Sequence, residues 1–168
     1  KAGAGSFLAL KARQTYNMGT QISGGFVRFG TSDAPLGRNQ ITLGAGATLD
    51  LGSGVNYSYG MDNLDLAGTV IATNATTQRI FGNISLSGDA TIVGRDDTFA
   101  FMNIAASPSL LALNGHTLTV EANGFTYIGA WSDNGTGGKL VLKGNEGARV
   151  ETTYGYGPAS AAGGVQGG

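Results

Sequence analysis

One short unit recurs along this chain: two apolar residues flanking a third, a small or polar residue, a glycine, and a second alternating apolar pair. Its clearest copy runs from Ile41 through Leu43, Gly44, Gly46 and Leu49 to Leu51. Leu64, Leu66, Gly68 and Val70 repeat it, then Ile84, Leu86, Gly88 and Ile92, then Leu111, Leu113, Gly115, Leu118 and Val120. Leu140, Leu142 and Gly144 close the series, with Val150 as a candidate second strand. The copies begin at positions 41, 64, 84, 111 and 140, so they follow at intervals of 23, 20, 27 and 29 residues. Phe7 to Leu10 and Phe26 to Phe29 fit the same rhythm.

Alternation places both apolar residues of a pair on one face of a strand. A glycine then turns the chain through a corner without a Cβ clash, and the next pair faces inward again. A period of ~20–30 residues is that of one coil of a solenoid. One coil offers few inward aliphatics, each worth ~1.5–3 kcal/mol on full burial, so the core exists only when coils stack. The expected fold is therefore all-β, a parallel β-solenoid of roughly seven coils, about 35 Å long at ~4.8 Å per rung. The expected core column is Leu8, Leu10, Ile41, Leu43, Leu49, Leu51, Leu64, Leu66, Ile84, Leu86, Leu111, Leu113, Leu118, Val120, Leu140 and Leu142.

Composition points the same way. Thirty of 168 residues are glycine, 41% are hydrophobic and only 12% are charged. Gly, Thr, Asn and Asp are weak helix formers and good turn residues, and no helix is expected. Residues 52–63 and 94–108 lack the unit and read as excursions or irregular coils. The module is expected over 1–154, with residues 155–168, rich in glycine, as a tail or linker.

Residues 5–51 resemble the passenger-associated repeat of bacterial autotransporters and related surface proteins. The family pattern of Gly-x-Leu-x-Leu, Tyr near Gly-Thr, Ile-x-Gly-Gly, Leu-Gly and a closing alternating run is met in turn. It is carried by Gly5, Leu8 and Leu10, then Tyr16, Gly19 and Thr20, then Ile22, Gly24 and Gly25, then Leu36 and Gly37, and finally Ile41 to Leu51. Asn17 and Met18 depart from the tightest form, and Phe26 and Phe29 stand where smaller or aliphatic residues are usual. Gly135 to Gly144 looks like the opening of another copy. The resemblance implies a right-handed parallel β-helix, a segment of a longer protein that is secreted or displayed on the bacterial cell surface. The absence of cysteine fits that reading, since disulfides hinder export of a passenger through the outer membrane.

Net charge is −1 and the basic residues are scattered, whereas nucleic-acid binding needs a concentrated positive footprint; no nucleic-acid partner is expected. No apolar run approaches the ~20 residues of a spanning helix, so this segment is not expected to insert in a membrane. The opening residues, Lys1 to Gly5, lack the apolar stretch of a signal peptide, as a mature product or an excised piece would.

β-Helices also host polysaccharide-degrading enzymes, which need carboxylates paired at a defined separation. The candidates are Asp62 with Asp65, which should point outward beside Leu64 and Leu66, and Asp96 with Asp97 in a polar turn; solvated turn carboxylates are the simpler account. His116, the single histidine, follows Asn114 and Gly115 at a corner and reads as a turn residue. With no cysteine it cannot build a standard zinc site without several carboxylates. Ser6, Ser107 and Ser109 lack a nucleophile-elbow context. Asp133, Asn134 and Gly135, or Asp96 and Asp97, could offer oxygen ligands to calcium, but the glycine-rich nonapeptide of calcium β-rolls is absent. Gly135 to Lys139 lacks the spacing of a phosphate loop. No cofactor is expected.

Tyr57, Tyr59, Phe125, Tyr127, Trp131, Tyr154 and Tyr156 are the candidate contact residues, since Tyr and Trp make good surfaces for sugars and proteins; the alternative is that they line or cap the core. The expected function is a non-catalytic structural or adhesive segment. Its partners would be a host-surface glycan or protein, or further copies of itself. A self-assembling filament subunit and a carbohydrate-active enzyme fragment are the rival readings.

Overall fold

The structure is a computed structural model describing residues 7–11, 18–29, 36, 40–52, 57–72, 78–94, 98–101, 111–128 and 131–152. Within these lie fourteen strands. They are β1 (Phe7–Leu10), β2 (Thr20–Phe29), β3 (Ile41–Asp50), β4 (Tyr57–Leu66), β5 (Thr69–Ala72), β6 (Gln78–Leu86) and β7 (Ala90–Gly94). Then follow β8 (Thr98–Phe101), β9 (Leu111–Ala112), β10 (Thr117–Ala122), β11 (Phe125–Ile128), β12 (Trp131–Ser132), β13 (Lys139–Gly144) and β14 (Arg149–Thr152). All the pairings are parallel, and no described residue is helical.

The pairings resolve into three ladders, visited in turn by the chain. The first stacks the starts of β2 and β3, the ends of β4 and β6, then β9 and β12. The second stacks β1, the ends of β2 and β3, then β5, β7, β10 and β13. The third stacks the starts of β4 and β6, then β8, β11 and β14. A parallel β-solenoid results. Among the described residues five turns are complete on all three ladders between Ile41 and Thr152, fewer than the roughly seven expected from chain length and repeat interval. Among the described residues only the second ladder reaches seven rungs, a height of roughly 29 Å at ~4.8 Å spacing.

The third ladder corrects the sequence reading. β4 begins inside residues 52–63 and β8 lies inside 94–108, where irregular chain was expected. These strands lack the leucine alternation of the other two ladders, so the two-strand unit did not reveal them. Long strands such as β3 and β4 also pass from one ladder to the next without a break.

Alternation fills the interior with stacked columns. Along the second ladder Val27, Leu49, Val70, Ile92 and Val120 stand in register, all buried. Along the first, Ile22, Leu43, Leu66 and Leu86 do the same, and Leu113 joins the core one coil on. Ile41, Leu51, Leu64, Ile84, Leu111, Leu118 and Leu140 are likewise buried, while Leu10, Trp131 and Leu142 are partly buried against this core. Leu8 departs from the expected column, being 46% exposed. Its register partner is the buried Val27, so it stands on the apolar side, but β1 pairs with β2 alone and no rung covers it among the described residues.

Outside the wall the second ladder carries Thr48, Thr69, Thr91 and Thr119 in one half-buried row, the β-branched residue suited to such a surface. Beside it Asp50 is fully buried, held by Arg28 at 2.7 Å and accepting from the Gly52 amide. Arg28 lies one rung away at the matching position. Corners are built by close backbone approach. At Gly68 a Cβ would sit 2.5 Å from the carbonyl oxygens of Gly44 and Ala47, so the corner admits no side chain there.

Candidate binding groove on the polar face

The first ladder shows two chemistries on its two sides. Leu64, Leu66, Ile84 and Leu86 point into the core; the residues between and before them point out. Register stacks Gln21, Thr42, Asp65, Ser85, Ala112 and Ser132 in one outward row. Asn63 and Asn83 form a second row beside it, with Gln40 preceding Ile41 on the coil before. Of these, Gln40, Asn63, Asp65, Asn83 and Ser85, together with Ser87 and Asn114, line a groove of about 520 Å³.

Hydrogen bonds fix much of this wall. The Asn83 amide donates to Asn63 Oδ1 at 3.3 Å. Asn114 donates to Ser85 Oγ at 2.8 Å and to the Leu86 carbonyl at 3.1 Å, and it accepts from Asn134 one coil on. Asn114 can do so because it turns the corner in the left-handed region, with φ of 51° followed by Gly115 at 82°, the pattern an Asn-Gly turn supplies at least cost. Asn134 and Gly135 repeat it at 54° and 72°, and the Asp133 carboxylate caps the Gly135 amide. The residues weighed for calcium here are thus engaged in a turn. His116 donates its backbone N–H to Leu113 and accepts from Lys139, which is a corner role.

Asp65 differs from these bonded side chains. Its Oδ1 is buried and has no hydrogen-bond partner, an arrangement that costs roughly 1–3 kcal/mol or more for a charged group. Among the described residues it is the only charged one lining the groove. Asp65 does lie at an outward position, as alternation indicated, but what surrounds it was not legible. The signal was the stacking of Asn63 on Asn83, twenty residues apart and therefore one coil apart.

The other candidates fall elsewhere. Asp62 lies within β4, and Asp96 and Asp97 lie outside the described residues, as do Tyr154 and Tyr156. Tyr57 and Tyr59 sit at the start of β4, and Phe125 and Tyr127 in β11, three rungs away on the third ladder. Trp131, in β12, is partly buried against the core, closer to lining than to contact. Among the described residues no three His, Cys, Asp or Glu side chains gather as metal ligands would. No helix among them is long and apolar enough to cross a membrane. No protein-family model matches the chain, and neither a curated protein nor a solved structure matches it.

Proposed function

We propose that this chain is a non-catalytic structural and adhesive segment of a secreted or surface-displayed bacterial protein. The observation that supports it is the unbroken stack of buried columns with in-register ladders, which makes a rod stiff enough to hold a lateral face at a distance from its anchor. Corner and wall polar groups are spent on coil-to-coil bonds such as Asn145 to Asn123 at 2.9 Å. The resemblance of residues 5–51 to the autotransporter passenger repeat agrees with this reading, and so does the shape. The test is retention of the purified protein on host-cell monolayers, with turnover on a glycan panel measured alongside. Retention without turnover is expected; hydrolysis lost on Asp65→Asn would replace this reading with the enzyme one.

A second reading is self-assembly through the ends. Leu8 continues the apolar column yet is exposed, and β1 and β13 each pair on one side only among the described residues, as edges that accept another strand do. Concentration-dependent fibres in electron micrographs would favour it, and a monomer in sedimentation at every concentration would remove it.

A further inference from the structure

We propose that the groove around Asp65 binds a neutral polyhydroxylated ligand, a stretch of uncharged glycan, with the Asp65 carboxylate accepting its hydroxyl hydrogens; this rests on the adhesive reading. Four observations converge on that chemistry. The first is the Asp65 carboxylate, which lines the groove and whose Oδ1 has no hydrogen-bond donor. An ionised carboxylate only accepts, so a ligand that meets it must donate. Thr42 and Ser85, its register neighbours, do not supply that bond in the structure.

The second is that the described residues lining the groove include no cationic side chain. An anionic ligand would meet one negative charge and nothing to pair with. A calcium ion would want six to eight oxygens, several of them carboxylate, and Asp65 is the single carboxylate among the described lining residues. Hydroxyls fit both limits, because each can donate to Asp65 and accept from an amide.

The third is the arrangement of the amides. Gln40, Asn63 and Asn83 succeed one another along the stack, at the spacing of the coils, so the groove offers a repeated donor and acceptor row. A ligand with hydroxyls repeated along its own length matches a row better than a compact molecule does. The fourth is rigidity. Asn114 holds Ser85 Oγ at 2.8 Å as an acceptor, which leaves the Ser85 hydroxyl hydrogen to donate outward. Asn83 is tied to Asn63. Groups fixed before binding lose less freedom on binding. Asp65 is only partly buried and lines the groove, so a ligand there meets its carboxylate.

The test is calorimetric titration of the whole chain with neutral hexasaccharides of glucose, mannose, galactose and xylose, with a sulfated oligosaccharide and calcium chloride as comparators. At least one neutral hexasaccharide should bind, and Asp65→Asn should weaken it about ten- to a hundredfold, the range for losing a hydrogen bond to a charged group. Ser85→Ala, a second and smaller disturbance, should weaken it as well, while Thr91→Ala on the second ladder should leave it unchanged. Circular dichroism of each variant must match the parent, and Ser85→Ala carries the test if Asp65→Asn does not fold. Binding of none of the neutral sugars, binding only of the sulfated sugar or calcium, or equal affinity in Asp65→Asn would overturn the proposal. Cell retention separates it from the reading beneath it. A protein retained equally with and without Asp65→Asn adheres by another surface, and one not retained at all is no adhesin.

Discussion

Leu8 and Leu49 belong to one column. Both stand on the apolar side of the second ladder, linked through Val27 by register, and both alternate with outward neighbours. Yet Leu49 is wholly buried and Leu8 is 46% exposed. Nothing in the local sequence separates them. What separates them is that Leu49 has rungs above and below, whereas β1 has β2 on one side and no described rung on the other. At the far end Leu142 repeats the effect, being only partly buried against the core. Burial in this fold is therefore a property of neighbours in the stack, and stability should follow the nearest-neighbour behaviour of repeat proteins.

That contrast is open to attack, first at its strong end. Leu113→Asp should abolish folding, because it places a carboxylate with no partner at a fully buried position; far-ultraviolet dichroism reads the loss of strand signal. Ile92→Ala, in the middle of the second-ladder column, should cost about 2–5 kcal/mol in denaturant unfolding, the range for truncating a packed aliphatic. Leu8→Ala removes a similar side chain from the same column, but one with much of its surface already in water, and should cost below about 1 kcal/mol. Similar losses for Ile92→Ala and Leu8→Ala would mean that a further coil covers β1, and the contrast between centre and end would dissolve.

How far the sequence discloses this molecule depends on where the information resides. Leu64 and Leu66, with Gly68 after them, state their own roles, because alternation and a corner glycine are local. Their twenty-residue recurrence as Ile84, Leu86 and Gly88 then states the stacking. The third ladder is different. Tyr57 to Gly60 and Thr98 to Phe101 carry mixed aromatic and polar residues, and only their partners in neighbouring coils make them strands. Asp50 was hidden for the same reason. Its ion-pair partner is Arg28, twenty-two residues earlier, which only the coil period brings alongside. The groove shares this character. Asn63, Asp65, Asn83 and Ser85 are ordinary polar residues along the chain, and they become a wall when twenty residues become one rung.

The smallest expected effect tests the boundary between column and corner. His116 lies three residues beyond Leu113 and is only partly buried. Its contributions to the corner are main-chain ones, an N–H given to Leu113 and a carbonyl offered to Lys139, and any residue but proline supplies both. The left-handed turn itself is set at Asn114 and Gly115, upstream of the imidazole. His116→Ala should therefore change unfolding free energy by less than ~0.5 kcal/mol, as surface substitutions do, while Leu113→Asp on the same turn removes the fold. If thermal melts showed the two variants equally damaged, the inward and outward sides of this strand would have been exchanged. The outward row that carries Asp65 and Ser85 would then belong to the core, and the groove would have no wall.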